Sequence, residues 1–181
     1  MAETPILPLA AFLVATAGQR LFELGLSARN ARRLAARGGV EHGRGHFPLL
    51  VLVHVAYLVA IPLEVLAIGA RPGTAWPIWL GLWIGAQLLR LASISALGDR
   101  WNTRIWVIPG APLVRHGPYR LVRHPNYIAV VIELIAGPMM FGAWRTAVAI
   151  TALNALALAI RIRAENRALA GASPAPDRAQ D

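Results

Sequence analysis

Two clusters of polar residues in the C-terminal part of the chain have the types and spacing for binding chemistry. The first is HGPYRLVRHPNY, residues 116–127, where arginine, histidine and tyrosine stand directly before an apolar run. The second is RIRAENRAL, residues 161–169, in which Arg161 and Glu165 are four residues apart and share one face of a helix. Guanidinium, phenol and carboxylate groups in this arrangement indicate a ligand that carries both charge and a flat ring.

The first cluster predicts the start of a helix. Pro125 suits the first helical turn, where its missing N–H has no partner to lose, and it restricts His124 to a more extended backbone. The free N–H groups and positive dipole of a helix N-terminus favour a ligand carboxylate or phosphate. Charged and flat side chains surround this helix start: Tyr119, Arg120, Arg123, Asn126 and Tyr127.

The second cluster has two interpretations. If the last two apolar runs form a hairpin, residues 124–127 and 161–165 lie at the same depth, and Glu165 can bind ribose hydroxyls or an amino group. Alternatively, Arg161 and Glu165 simply pair with each other, which stabilises a helix by about a few tenths of a kcal/mol. Spacing alone leaves both open.

Composition places these clusters in a membrane protein. The 181-residue chain is 56% hydrophobic, above the roughly 45–50% of soluble domains, and its mean hydropathy is +0.51. All eighteen basic residues are arginines, and the net charge is +9. Because the arginines lie between apolar runs, the charge favours membrane orientation over nucleic-acid binding. The absence of cysteine excludes a disulfide, a thiolate zinc site and a thiol nucleophile.

Five apolar segments are long enough to suggest membrane helices, so we predict an all-α polytopic protein with a C-terminal helical hairpin. The hairpin turn is FGAWR, and Pro138 is expected to kink the fourth helix. The N-terminus MAETPILPLA lacks a basic region, so the first run is expected to be retained rather than cleaved. The segments are roughly 5–26, 48–70, 76–97, 125–143 and 145–163.

Arginine counts predict the orientation, because cytoplasmic loops are enriched in basic residues. We expect the N-terminus outside, and the two long loops, the C-terminus and the ligand-binding side in the cytoplasm. The second and fourth gaps contain only Arg71 and Arg145. The first gap, the third gap and the tail contain Arg29, Arg32, Arg33, Arg37, Arg44, Arg100, Arg104, Arg115, Arg120, Arg123, Arg161, Arg163, Arg167 and Arg178.

One domain, residues 1–169, is predicted, with the ligand-binding region at about 97–169. Residues 170–181 are expected to be a disordered tail, and ARGGVEHGRGH, residues 36–46, an irregular loop. His42 and His46 are four residues apart in that loop, but no carboxylate completes the set, so no metal site is predicted.

Polar and ionisable residues in or next to the apolar segments have either a structural or a substrate-binding interpretation. On the first helix they form a stripe in which Arg20 and Glu23 can pair. On the second and third helices, polar residues share a helix face, where they can form interhelical hydrogen bonds or line a cavity. They are Arg20, Glu23, Ser27 and Asn30, then His54, Tyr57 and Glu64, then Gln87 and Arg90, and lastly Glu133.

The pattern GPY-x3-RHP-x-Y, followed by a membrane hairpin and R-x3-E, resembles the isoprenylcysteine carboxyl methyltransferase family. The resemblance covers residues 97–169 and extends more loosely to RLFELGLSARNARRLAARGGVEHGRGH. It implies an integral-membrane enzyme that uses S-adenosylmethionine. Bacterial members of the family are associated with lipophilic phenolic or polyketide hydroxyls such as alkylresorcinols. The absence of lysine favours a bacterial chain, in the cytoplasmic membrane.

The resemblance also implies roles for individual residues. Arg161 would face the reacting end of the acceptor, and Asn166 departs from the second glutamate usual in eukaryotic members. Glu23, His54 and Glu133 are candidates on the acceptor side, as groups able to accept a proton, and none is singled out. The cofactor would contact Leu113, Val114, Tyr119, His124, Pro125, Asn126, Tyr127 and Glu165.

The expected reaction is O-methylation of a carboxylate or a phenolic hydroxyl on a lipid-tailed or prenyl-like molecule taken from the bilayer. A carboxylate needs no base, whereas a phenol with a pKa near ~10 must lose its proton. Three alternatives remain: a phospholipid amine N-methyltransferase, an NADPH-dependent membrane reductase, and a non-catalytic scaffold or transporter. Arg161 argues against the amine, and no glycine-rich fingerprint supports the reductase.

Overall fold

The structure is a computed structural model that describes residues 6–172. Five helices occupy the five predicted apolar segments, with two short strands and three single turns of 3-10 helix between them. The helices are α1 Ile6–Ala36, α2 Phe47–Ala67, α3 Trp76–Leu97, α4 Pro125–Met140 and α5 Trp144–Ala172. The strands are β1 Val40–His42 and β2 Ile105–Val107, and the 3-10 turns are Arg44–His46, Gly98–Arg100 and Gly117–Arg120.

Within the described residues, four helices are long and apolar enough to cross a bilayer, whereas α4 has only sixteen residues. Their outer faces leave large apolar side chains such as Leu7, Leu52 and Leu88 more than half exposed. Exposing so much apolar surface is unfavourable in water, but it is favourable in contact with lipid. The chain is therefore a mostly helical, polytopic membrane protein.

Loop contacts show which segments share an end of the bundle. β1 pairs with β2 in antiparallel register, Val40 opposite Val107, and β2 packs against Ala168 near the end of α5. At the opposite end the carbonyl of Arg71 lies against Gly142. The arginine-rich gaps and the end of α5 therefore lie together, and the two arginine-poor gaps lie at the other end.

The helical bundle agrees with the all-α prediction, to which the structure adds a small two-stranded sheet, and β1 corrects the prediction of an irregular loop at residues 36–46. Each strand has three residues, too few for an alternating pattern to be visible, and its partner is more than sixty positions away. The helix α5 also continues to Ala172, because its last turns are rich in alanine and arginine, which favour helix. The remainder of the predicted tail, residues 173–181, lies outside the described residues.

The predicted hairpin of α4 and α5 turns over three residues. Gly142 adopts φ 75°, and a Cβ there would lie 1.9 Å from the carbonyl oxygen of Arg71, so only glycine fits. Glu64 of α2 accepts the backbone N–H of Thr146 at 2.7 Å and that of Arg145 at 3.1 Å. This carboxylate caps the start of α5 from another helix and fixes the hairpin against α2.

A cluster of four charged side chains, which we call the ion quartet, joins α1, α3 and α4. It consists of Arg20, Glu23, Arg90 and Glu133. The predicted Arg20–Glu23 pair is confirmed, with Nη1 and Oε2 2.7 Å apart, and Arg90 Nη1 lies 3.4 Å from the same oxygen. Glu133 pairs with both arginines. Two cations and two anions cancel, which makes their burial within the bundle tolerable.

Glu133→Gln should destabilise the bundle strongly. Arg20 and Arg90 would lose a shared carboxylate, and removing one partner of a buried pair costs about 3–5 kcal/mol. The midpoint of thermal unfolding in detergent should fall well below that of the unmodified protein. Asp99→Asn is the matched control, because the Arg33–Asp99 pair is about half exposed on both sides and should contribute little. Equal midpoints for the two variants would contradict the structural role of the quartet.

Candidate functional site

A cavity of about 1080 Å³ opens at the end of the bundle that carries the strands. Small-molecule sites typically occupy about 300–1,000 Å³, so this cavity is as large as the upper end of that range. The segment between α3 and α4, the start of α4 and the last turns of α5 form its walls. Leu34 of α1 and Leu97 of α3 add apolar surface on one side.

The hydroxyl of Tyr127 joins the two polar clusters. It accepts a hydrogen bond from Arg161 Nε at 2.8 Å and donates one to the carboxylate of Glu165. The predicted convergence of the start of α4 with the end of α5 is therefore confirmed. In the described part of the chain Arg161 and Glu165 form no ion pair with each other, because both bind the phenol instead. Pairing alone does not explain their spacing.

Arg161 is buried, with 8% of its surface exposed, and its hydrogen-bond partners are neutral. Its Nη1 donates to the carbonyl of Thr103 at 2.6 Å, and its guanidinium carbon lies 5.6 Å from the ring centre of Tyr127. No carboxylate among residues 6–172 is hydrogen-bonded to it. The positive charge of Arg161 therefore remains available to an anion in the cavity.

The start of α4 has the predicted form. Pro125 occupies the first turn, and His124 precedes the helix with φ −130° and ψ 59°. The His124 ring stacks on Tyr127, with ring centres 5.0 Å apart and planes 13° from parallel. Asn126 Oδ1 is buried without a hydrogen-bond partner, and so is Trp106 Nε1 on the facing strand. Both residues line the cavity, so one acceptor and one donor are left for a ligand.

Tyr119 lies on the short 3-10 turn before α4. Gly117 begins this turn with φ 57°, and a Cβ there would come within 3.1 Å of Ala96 on α3. Burial, with a smaller effect from the negative charge of Glu165, raises the pKa of Tyr119 to about 12. Its phenol stays protonated at neutral pH and can donate a hydrogen bond into the cavity.

Most of the site residues predicted from sequence come together here. Pro125 is buried in the first turn of α4, behind the cavity surface. The predicted residues that line the cavity are Leu113, Val114, Tyr119, His124, Asn126, Tyr127, Arg161 and Glu165.

The three candidates for the acceptor side lie elsewhere. Glu23 and Glu133 belong to the ion quartet, where arginines hold both carboxylates. His54 Nδ1 is 2.8 Å from the carbonyl oxygen of Leu50, one turn earlier in the same helix. None of the three lies among the described residues that line the cavity. Their place in the bundle favours the structural interpretation.

Sequence reasoning included the stretch directly after α3 in the ligand-binding region but named none of residues 98–108 as a site residue. Trp101, Asn102 and Trp106 line the cavity, but no periodicity or motif distinguishes them. Arg100 and Arg104 were counted only as orientation charges. Arg100 donates to the carbonyl of Pro112 at 2.6 Å, and this bond folds the segment back over the cavity.

The charge of the cavity is strongly positive. Glu165 is the carboxylate among its described lining residues, and Arg104 is partly neutralised by Glu41 at 3.1 Å. A site with this balance attracts anionic groups. The lining arginines are Arg100, Arg104, Arg115, Arg120, Arg123 and Arg161.

Comparison with known proteins finds a family model and several relatives. Residues 79–171 match the model of the isoprenylcysteine carboxyl methyltransferase family. The uncharacterized protein YpbQ of Bacillus subtilis is 33% identical over 151 residues, which cover 83% of this chain and 90% of that protein. An uncharacterized protein of Haemophilus influenzae is 30% identical over 156 residues, 86% of this chain and 91% of its own.

A third relative, the cobalt-zinc-cadmium resistance protein CzcN of Cupriavidus metallidurans, is 36% identical over 107 residues. That match covers 53% of this chain and 47% of the relative. No solved structure matches the chain significantly.

Proposed function

The chain belongs to the isoprenylcysteine carboxyl methyltransferase family, and from that premise we propose that its cavity binds S-adenosylmethionine beside a lipophilic acceptor and promotes methyl transfer to an acceptor oxygen. Family membership makes the protein a membrane methyltransferase in general terms. The observation that supports the finer assignment is the Tyr127 hydroxyl, which holds Arg161 and Glu165 side by side at the cavity wall.

The residues present fit the cofactor. S-adenosylmethionine supplies a methyl group already activated on a sulfonium. Glu165 has one carboxylate oxygen free of Tyr127 for a ribose hydroxyl or an amino group. The unpartnered Asn126 Oδ1 and Trp106 Nε1 offer an acceptor and a donor, while Leu113 and Val114 supply apolar surface for a purine ring. This division agrees with the roles that the family resemblance implies.

Arg161 suits an acceptor oxygen that carries negative charge. Its guanidinium is buried and has neutral partners, so an acceptor oxyanion would be both bound and oriented by it. Alignment of two reactants is worth roughly 7–11 kcal/mol in favourable cases, and a methyl sulfonium needs little further activation. Leu97 offers apolar surface for the acceptor's hydrocarbon part. Carboxylates and phenolates on lipid-tailed molecules both fit this description.

The acceptor class can be tested with extracted lipids. Purified protein in detergent would be incubated with methyl-labelled S-adenosylmethionine and lipid extract, and products identified by mass spectrometry. We expect label on the oxygen of a carboxyl or phenolic lipid, because Arg161 favours an anionic acceptor. A boiled sample serves as the control. Label on phosphatidylethanolamine would overturn the oxygen assignment, and binding of NADPH without binding of S-adenosylmethionine would overturn the function.

Two substitutions on α5 should separate binding from turnover. Glu165→Ala should weaken S-adenosylmethionine binding about ten- to hundredfold, since hydrogen bonds to a charged group are lost. Arg161→Ala should keep most of that binding but lower kcat about 10²-fold, because the acceptor oxygen would no longer be held in line with the methyl group. Calorimetry and labelled-methyl assays measure the two quantities. Arg163→Ala, on the exposed side of the same helix, is the matched control and should change neither.

We also propose that the end of the bundle with the cavity faces the cytoplasm, where S-adenosylmethionine is made. Support comes from the arginine-rich gaps, which lie at that end, while Arg71 and Arg145 lie at the other. The N-terminus would then be outside.

Because the chain has no cysteine, single cysteines can test this orientation directly. In intact cells a membrane-impermeant maleimide should label Thr74→Cys, in the exposed turn between α2 and α3, and should label Ala36→Cys only after the cells are opened. Both side chains are exposed, so accessibility within the protein is matched. The reverse pattern would contradict the proposed orientation.

A further inference from the structure

We propose that Ser27 on α1 is a positioning residue for methyl transfer, which acts on Arg161 through the backbone of Thr103. The role assigned to Ser27 rests on the proposed function, because there Arg161 is the residue that faces the acceptor. Ser27 itself does not line the cavity among the residues described. Its influence must therefore pass through the segment that follows α3.

The hydroxyl of Ser27 uses all of its hydrogen-bonding capacity on that segment. Its Oγ donates to Asn102 Oδ1 at 2.8 Å and accepts the backbone N–H of Thr103 at 3.2 Å. Its single proton is then engaged, so Thr103 Oγ1, 2.7 Å away, is the donor in the third contact. Asn102 Nδ2 also donates to the Ser27 carbonyl at 2.9 Å. Ser27 is only 5% exposed, so water does not compete for these bonds.

The same turn holds the guanidinium of Arg161. The carbonyl of Thr103 accepts Arg161 Nη1 at 2.6 Å, and Tyr127 accepts Nε at 2.8 Å. These two contacts fix the plane of the guanidinium from two directions. One anchor comes from α4, and the other is held in place by Ser27 of α1. A shift of Thr103 would let the guanidinium rotate about its remaining bond.

The first helix is a firm support for this contact. Glu23, one turn before Ser27, is held by arginines in the ion quartet. Asn30, one turn after it, donates to the carbonyls of Trp101 at 2.8 Å and Gly98 at 3.2 Å. Ser27 therefore lies between two fixed points on the same helix face. Asn30 holds the beginning of the segment, whereas Ser27 holds the residue that contacts Arg161.

The experiment compares Ser27→Ala with Ser93→Ala in the full-length protein in detergent. Ser93 is the matched control, because it is also fully buried but its hydroxyl binds Leu89 of its own helix at 2.7 Å. The first readout is hydrogen exchange at the Arg161 Nε–H, observed by NMR of the arginine side chains. That signal is assigned by its loss in Arg161→Lys. It reports the order of the guanidinium and requires neither cofactor nor acceptor.

Ser27→Ala should speed exchange at Arg161 about tenfold, the size of one lost hydrogen bond, while Ser93→Ala leaves it unchanged. Thr103→Val, which removes only the Oγ1 contact and keeps the Thr103 carbonyl, should act in the same direction more weakly. Thr103→Val takes the place of Ser27→Ala as the test if Ser27→Ala does not fold. An unchanged rate in Ser27→Ala, or in Thr103→Val where only that variant folds, would overturn the proposal. Equal acceleration in Ser93→Ala would do so too, because it would indicate general loosening.

The second readout is turnover with labelled S-adenosylmethionine. Ser27→Ala should lower kcat about tenfold and leave cofactor affinity unchanged, because Glu165 and Asn126 lie on other elements and Trp106 is held by the pairing of β2 with β1. In an Arg161→Ala background, Ser27→Ala should have no further effect on kcat. An equal effect in both backgrounds would overturn the proposal. A wild-type protein without methyltransferase activity would instead refute the proposed function, and the exchange measurement would still decide the role of Ser27.

Discussion

The structure depends on the mutual neutralisation of four charges inside an apolar bundle. Arg20 and Glu23 on α1, Arg90 on α3 and Glu133 on α4 form a closed set in which each charge has a partner on another helix or one turn away. An unpaired charge at that depth would cost several kcal/mol, so the three helices have one favourable relative placement. Apolar contacts alone would allow the helices to slide, because lipid is as apolar as they are.

The geometry of the site depends on this placement of α1, α3 and α4. The polar stripe of α1 continues from Glu23 to Ser27 and Asn30, and the last two bind the segment that follows α3. The start of α4 carries Tyr127, and α5 brings Arg161 and Glu165 to the same hydroxyl. The segments that enclose the cavity are thus held in place by contacts with the helices of the bundle.

Much of this arrangement was predictable from sequence, for identifiable reasons. Helix positions follow from apolar run length, and the meeting of Tyr127 with Glu165 follows from a hairpin that brings two chain segments to equal depth. Glu23 and Glu133 were candidates for the acceptor side but belong to the ion quartet. A sequence shows that a residue is charged, but not which residue of another helix neutralises it. The contact of Ser27 with Thr103, 76 positions apart, and the three-residue strands leave no local pattern at all. Prediction therefore succeeded for features that follow from run length or from a short connection between neighbouring helices. It failed for features that depend on packing between segments far apart in the sequence.

Two buried arginines illustrate the difference between holding the fold and serving the site. Arg90 is 2% exposed and is paired with two carboxylates, so its charge is cancelled and it acts only on structure. Arg161 is almost as buried, at 8%, yet its hydrogen-bond partners are a phenol and a backbone carbonyl. Neutral partners orient a guanidinium without cancelling its charge, and the carboxylate of Glu165 is hydrogen-bonded to Tyr127 rather than to Arg161. An anionic group in the cavity could pair with the guanidinium directly, which is why the charge balance around Arg161 supports an acceptor that reacts as an oxyanion.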